Sequence, residues 1–98
     1  MDHENDFLIT YNQPKKASLA LDGDCLIGIC EYEETSLGVW DIFHTEVSKE
    51  NGGRGIAKRL VLTLLAEARK QGKKIQPSCS YARKVMEENE EFKDLLIG

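Results

Sequence analysis

At 98 residues, 41% of them apolar and 31% charged, the chain has the composition of an ordinary globular protein. Such a length buries roughly 60–70% of the unfolded surface, so one domain over residues 1–98 is expected. A formal charge of −4 argues against nucleic acid as a partner, and no apolar run approaches the length of a membrane span, about 18 residues.

The opening MDHENDF is acidic and lacks the basic and apolar regions of a secretion signal. Cys25, Cys30 and Cys79 are an odd number, and none has zinc-ligand spacing. Cys25 and Cys30 fall on opposite faces of one extended run and cannot bridge there. Reduced thiols, a cytoplasmic location and no metal are therefore expected.

Asp6 to Tyr11 reads as a first strand, ended by the turn cluster Asn12-Gln13-Pro14. Ala17 to Leu21 reads as a second, and Asp22-Gly23-Asp24 as a hairpin turn. The third strand runs from Cys25 to Glu33, with Leu26, Gly28, Cys30 and Tyr32 on one face. Glu33 to Ser36 is expected to turn the chain into a fourth strand, Leu37 to Val47. These four form an antiparallel meander.

Ser48 to Asn51 reads as a loop, followed by Gly52, Gly53 and Gly55 just before a helix. The helix has a clear apolar stripe: Ile56, Leu60 and Leu64 in one row, Ala57, Val61 and Leu65 in the next, extended by Ala68. Arg69 and Lys70 suit its negative end, and Gly72 caps it. Lys73 to Gln76 forms a fifth strand, stopped by Pro77. Because a helical crossover separates it from the fourth strand, the two should be parallel. Ser80 is placed to cap a second helix, Tyr81 to about Asn89, which packs through Ala82, Val85 and Met86. Phe92, Leu95 and Leu96 give a final amphipathic turn.

Glycines ahead of a helix let backbone N–H groups approach a ligand, and the helix start adds unpaired donors and a positive dipole end. That combination suits an anion, most naturally a phosphate or pyrophosphate. A Walker loop is excluded, since Lys58 follows Ala57 and precedes Arg59. The dinucleotide fingerprint fails too, because Lys58 stands where its third glycine belongs. A purely structural strand-to-helix connection remains the alternative.

His44-Thr45-Glu46-Val47, the run Gly53 to Lys58, and Pro77-Ser78-Cys79-Ser80-Tyr81 together resemble the small single-domain branch of the GNAT acetyltransferases. The resemblance covers roughly residues 6 to 97. In that superfamily the pyrophosphate of acetyl-CoA lies on a loop of pattern Gln/Arg-x-x-Gly-x-Gly/Ala. Gly55 and Ala57 match its last two fixed positions, while Gly52 stands where Gln or Arg is usual. The resemblance implies an α+β fold with a mixed sheet, a shortened GNAT-like arrangement of meander, crossover helix, fifth parallel strand and C-terminal helix. It also implies acetyl-CoA as cosubstrate, lodged where the two parallel strands diverge, between Val47 and Pro77. Backbone around Glu46 and Val47 would pair with the pantetheine arm. Gly53, Arg54, Gly55, Ile56, Ala57 and Lys58 would hold the pyrophosphate, with Arg54 and Lys58 either adding charge or standing in solvent.

The thioester would then lie near Cys79, which either acts as an acetyl relay or lines the pocket as a small side chain. GNAT chemistry is mostly direct attack by an amine on the thioester, which needs a base for the amine and an acid for the leaving thiolate. Tyr81 is a candidate acid, or else a core contact. His44 and Glu46 share a face of the fourth strand, and either is a candidate base. Full-length GNAT domains carry two helices between their first two strands and further strands after the last helix. Here Asn12 to Lys16 is only a turn and the chain ends at Gly98, so the donor half is expected to be present and the acceptor half largely missing. Three readings follow: an N-acetyltransferase acting on an amine still to be assigned, a protein amine included; a CoA-binding module without efficient catalysis; and a protein-interaction domain. A monomer or weak dimer is expected in each.

Overall fold

The computed structural model describes residues 7–97. Asp6, placed at the head of the first strand by its sequence, lies outside them. Five strands form one sheet in chain order: β1 (Leu8–Asn12), β2 (Ala17–Asp22), β3 (Cys25–Ser36), β4 (Val39–Val47) and β5 (Lys74–Ile75). The first four run antiparallel, and β4 pairs with β5 in parallel, with Trp40 opposite Ile75. Helix α1 (Ile56–Gln71) crosses between β4 and β5, and α2 (Ser80–Glu88) follows β5. Short 3-10 turns occupy Lys49–Asn51 and Glu90–Leu95. The fold is therefore mixed α+β.

Two cross-strand rows define the face that α1 covers: Ile9, Ala20, Gly28 and Val47, then Tyr11, Ser18, Cys30 and Thr45. Onto these pack Ile56, Leu60, Val61, Leu64, Leu65 and Ala68, every one of them buried. Of the stripe read from the sequence only Ala57 departs: it is half-buried and faces a cleft at the start of the helix. Ser18, buried among these apolar groups, is satisfied because its hydroxyl donates to the Leu60 carbonyl at 2.8 Å. Tyr32 and Trp40 stack with centroids 3.9 Å apart, and Tyr11 continues the aromatic column. Helix α2 adds Ala82, Val85 and Met86 to the same core, and the last turn adds Phe92 and Leu95.

Several boundaries differ from the expectations. β3 continues through Ser36, and the hairpin closes instead at Leu37–Gly38. There the Gly38 N–H donates to the Glu34 carboxylate at 2.9 Å, and Lys73 reaches the same carboxylate at 3.2 Å. Strict alternation in β3 also breaks. Leu21 pairs with Leu26 while Ala20 pairs with Gly28, so a bulge at Ile27 buries that residue and leaves Leu26 53% exposed. The segment Ser48 to Asn51, expected to be irregular, holds a 3-10 turn tied to β3 by the Ser48 N–H bond to Ile27 O. Cys79, not Ser80, caps α2: its backbone is extended and its carbonyl accepts the first helical bond, from Arg83 N–H. Past β5, Leu96 bridges to Ile75 in parallel, and Ile97 N–H donates to Ile75 O at 2.8 Å. The Arg69–Asp94 ion pair at 2.7 Å holds that final segment to α1.

Candidate functional site

The sheet splits between β4 and the segment that follows β5. Hydrogen bonds cross this seam from Lys74 N–H to Gly38 O, Gln76 N–H to Trp40 O and Cys79 N–H to Ile42 O. A second bulge then displaces Phe43, and from His44 to Val47 β4 keeps its pairing with β3. Among the described residues, no strand pairs with the other edge of β4 beyond Ile42. An extended polar chain can pair with such an edge by strand addition.

At the end of that edge stands the glycine turn. Gly53 and Gly55 have φ of 81° and 76°, the left-handed region that side-chain-bearing residues rarely occupy. A Cβ at either would meet nothing within 4 Å, so backbone conformation rather than crowding calls for glycine there. Gly55 is the N-cap of α1, and its carbonyl accepts the first helical bond, from Arg59 N–H. The N–H groups of Ile56, Ala57 and Lys58 therefore precede the hydrogen-bonded ladder. A cleft of about 220 Å³ opens over them, lined among others by Val47, Gly53, Gly55, Lys58 and Tyr81.

Tyr81 thus belongs to this cleft and is not a core contact; it is 36% exposed. Partial burial raises the pKa of its phenol, with Glu88 adding to the effect, so it keeps its proton at neutral pH. Arg54 is placed differently: it does not itself line the cleft, and its guanidinium bonds the side chain of Asn51, a lining residue, and lies 4.8 Å from the Phe7 ring centroid.

Thr45 and Val47 point to the α1 side, so His44 and Glu46 occupy the opposite face, in rows with Glu31 and Ile29. His44 Nε2 and Glu46 Oε1 are 3.0 Å apart on that outer face. Cys79 lies on the inner side, its Sγ 3.7 Å from Thr45 Oγ1. Behind it Cys30, fully buried, places its own sulfur 3.4 Å from the same oxygen. Desolvation pushes the Cys30 thiol up to about 12. Cys25, by contrast, is exposed.

Two residues of this region escape a reading by residue type. Asp41 accepts both the Ser78 N–H, at 2.8 Å, and the Ser78 hydroxyl, at 2.6 Å, which pins the loop carrying Cys79 to β4. Thr45 joins the two thiols. Its only advance signal is its place in the strand between His44 and Glu46. Among the described residues no cluster of His, Cys, Asp or Glu is suited to a metal ion, and no helix is long and apolar enough to cross a membrane.

A mixed sheet that opens between two parallel strands, with a glycine-started helix at the opening, defines a GNAT-like fold. Residues 16–95 match the family model of the GCN5-related N-acetyl-transferases, and the chain belongs to that family. A solved structure similar to it is a GCN5-like candidate N-acetyltransferase from Staphylococcus aureus. It is 26% identical with a TM-score of 0.75, over 96% of this chain and 91% of that one. Ard1 from Thermoplasma volcanium is similar in fold at 15% identity and a TM-score of 0.59, over 65% of this chain and 44% of that one. A candidate GNAT acetyltransferase from Desulfovibrio desulfuricans is similar in fold at 16% identity and a TM-score of 0.59, over 74% of this chain and 52% of that one. No curated protein matches the sequence.

Proposed function

We propose that residues 1–98 form a single acetyl-CoA-binding domain that transfers the acetyl group to an amine. The observation that carries this reading is the meeting of three features at one place: the unpaired edge of β4, the left-handed Gly55 at the start of α1, and Tyr81 across the cleft. The residues fit the cosubstrate. N–H groups from Gly53 to Lys58 suit a pyrophosphate, the Lys58 ammonium adds charge, and the backbone of Glu46 and Val47 offers partners to the amides of a pantetheine arm.

Acetyl transfer of this kind joins an amine nitrogen to the thioester carbonyl and releases CoA as a thiolate. Tyr81, protonated and lining the cleft, is the group assigned to supply a proton to the departing sulfur. The His44–Glu46 pair sits on the other face of β4, where an amine would approach from outside the cleft. Imidazole held by a carboxylate is suited to take the amine's proton. Donor and acceptor thus reach one edge from opposite sides. Cys79 is assigned as pocket lining beside the thioester, its size leaving room for an acetyl group. The free thiols fit a reducing compartment such as the cytoplasm, and the chain is assigned as a monomer or weak dimer with neither nucleic acid nor membrane as a partner.

One feature favours a second reading, CoA binding with little turnover. Only a turn joins β1 to β2, so no inserted helices wall the outer face where an amine would sit. Calorimetry with acetyl-CoA, followed by a thiol-release assay over a panel of amines, separates the readings. Binding at about −8 kcal/mol, in the micromolar range, with measurable release supports transfer. Binding without release supports the module, and no binding overturns both.

A further inference from the structure

Thr45 lies at the junction of two sulfurs, 3.4 Å from Cys30 Sγ and 3.7 Å from Cys79 Sγ. Its hydroxyl has one proton to give and lone pairs to receive. The direction of each bond follows from burial. Cys30 is fully enclosed in the core and stays a thiol, so it holds an S–H that needs an acceptor, and Thr45 Oγ1 is within reach. With that lone pair engaged, the Thr45 proton is free to turn toward the half-buried Cys79. A hydroxyl donated to sulfur fixes where the sulfur points.

We infer that Thr45 is a positioning residue that accepts a hydrogen bond from Cys30 and donates one to Cys79, holding the Cys79 sulfur oriented at the opening between β4 and α2. The surroundings of Cys79 give this bond its weight. Its N–H is held by Ile42 O, its carbonyl by Arg83 N–H, and the Arg83 guanidinium reaches Pro77 O at 3.4 Å. Tyr81 on α2 and Cys30 on β3 are the titratable groups that face it; Glu88 acts on Tyr81, and Glu31 acts on Cys30 from the opposite face of β3. Thr45 is thus the hydroxyl hydrogen-bonded to the Cys79 thiol from β4. The arrangement matters for catalysis only if the reading above is right, but it is a property of the protein without CoA and is tested there.

The probe is iodoacetamide, applied to the full chain without CoA. Trypsin releases Ile75–Arg83, a segment that carries Cys79 alone, so mass spectrometry follows its alkylation separately from that of exposed Cys25. Thr45→Val, nearly the same shape without the hydroxyl, should slow alkylation of Cys79 by roughly threefold to tenfold. Thr45→Ser should restore it. In the infrared, the Cys30 S–H stretching band, identified by its loss in Cys30→Ala, should move toward the free-thiol position in Thr45→Val and return in Thr45→Ser. Should Thr45→Val not fold, Thr45→Ala carries the same comparison. An unchanged alkylation rate, an unmoved band, or no rescue by serine overturns the inference. A failure of acetyl-CoA to bind would touch only the proposed function.

Discussion

Gly28 of β3 and Leu60 of α1 stand so close that a Cβ at position 28 would lie 3.1 Å from Leu60 Cδ1. The same Cβ would press on Ile56 and Val47, each at 3.3 Å. Ile56 opens α1 and Val47 ends β4, so this one contact sets how near the helix start comes to the strand edge. Glycine here answers crowding, unlike the glycines of the turn.

Gly28→Ala should therefore destabilise the fold by about 1–2 kcal/mol through overpacking. Urea denaturation would show a lower midpoint with an unchanged slope. A variant as stable as the parent would mean that α1 recedes from the sheet without cost.

Gly55→Val should abolish or greatly weaken acetyl-CoA binding, because a β-branched residue resists a φ of 76° and a side chain would enter the anion site. Arg54→Ala should cost far less, since Arg54 is engaged with Asn51 and Phe7. Calorimetry on both variants checks the order. If Gly55→Val binds as tightly as the parent, the turn does not hold the pyrophosphate.

For Cys79→Ser we expect retained CoA binding and a modest loss of transfer, with no stable acetyl-enzyme in the parent. Intact-mass measurement after incubation with acetyl-CoA, with hydroxylamine as the probe for a thioester, reads this directly. A stoichiometric acetyl-Cys79 able to acetylate an added amine would establish the relay instead.

The Glu34 carboxylate accepts from Gly38 N–H and from Lys73, and both hold its pKa below the ordinary value of 4.5. A depressed folded-state pKa contributes stability above the unfolded value, and that contribution is lost as pH falls through the folded one. Glu34→Gln should thus lower the urea midpoint at neutral pH, and the difference from the parent should shrink at acid pH, well below 4.5. A difference constant across that range would remove the charge from the explanation.

Legibility in the sequence followed physical locality. The α1 stripe, its Gly72 cap and the order of the strands are local patterns, and each appears where its spacing places it. The bulges at Ile27 and Phe43 depend on cross-strand register, which no period along one strand reveals. Glu34 belongs to a strand rather than a turn because partners at Gly38 and Lys73 reward the longer hairpin. The glycine turn before α1 could be read from composition, and its left-handed glycines stand where the sequence places it. That His44 and Cys79 fall on opposite sides of β4, and that Thr45 lies between two sulfurs, required the packing of distant segments.

The parallel pairing of β4 with β5 involves only two residues, Val39 with Lys74 and Trp40 with Ile75. It joins segments separated by the whole of α1, whereas each hairpin of the meander closes over a few residues. Loop closure over such a span is entropically costly, so this seam should form late in folding and open first in the native state. Amide protons of Lys74 and Gln76 would then exchange with solvent ahead of those in β2 and β3. The chain would breathe along the line where it is proposed to admit its cosubstrate, leaving the meander closed.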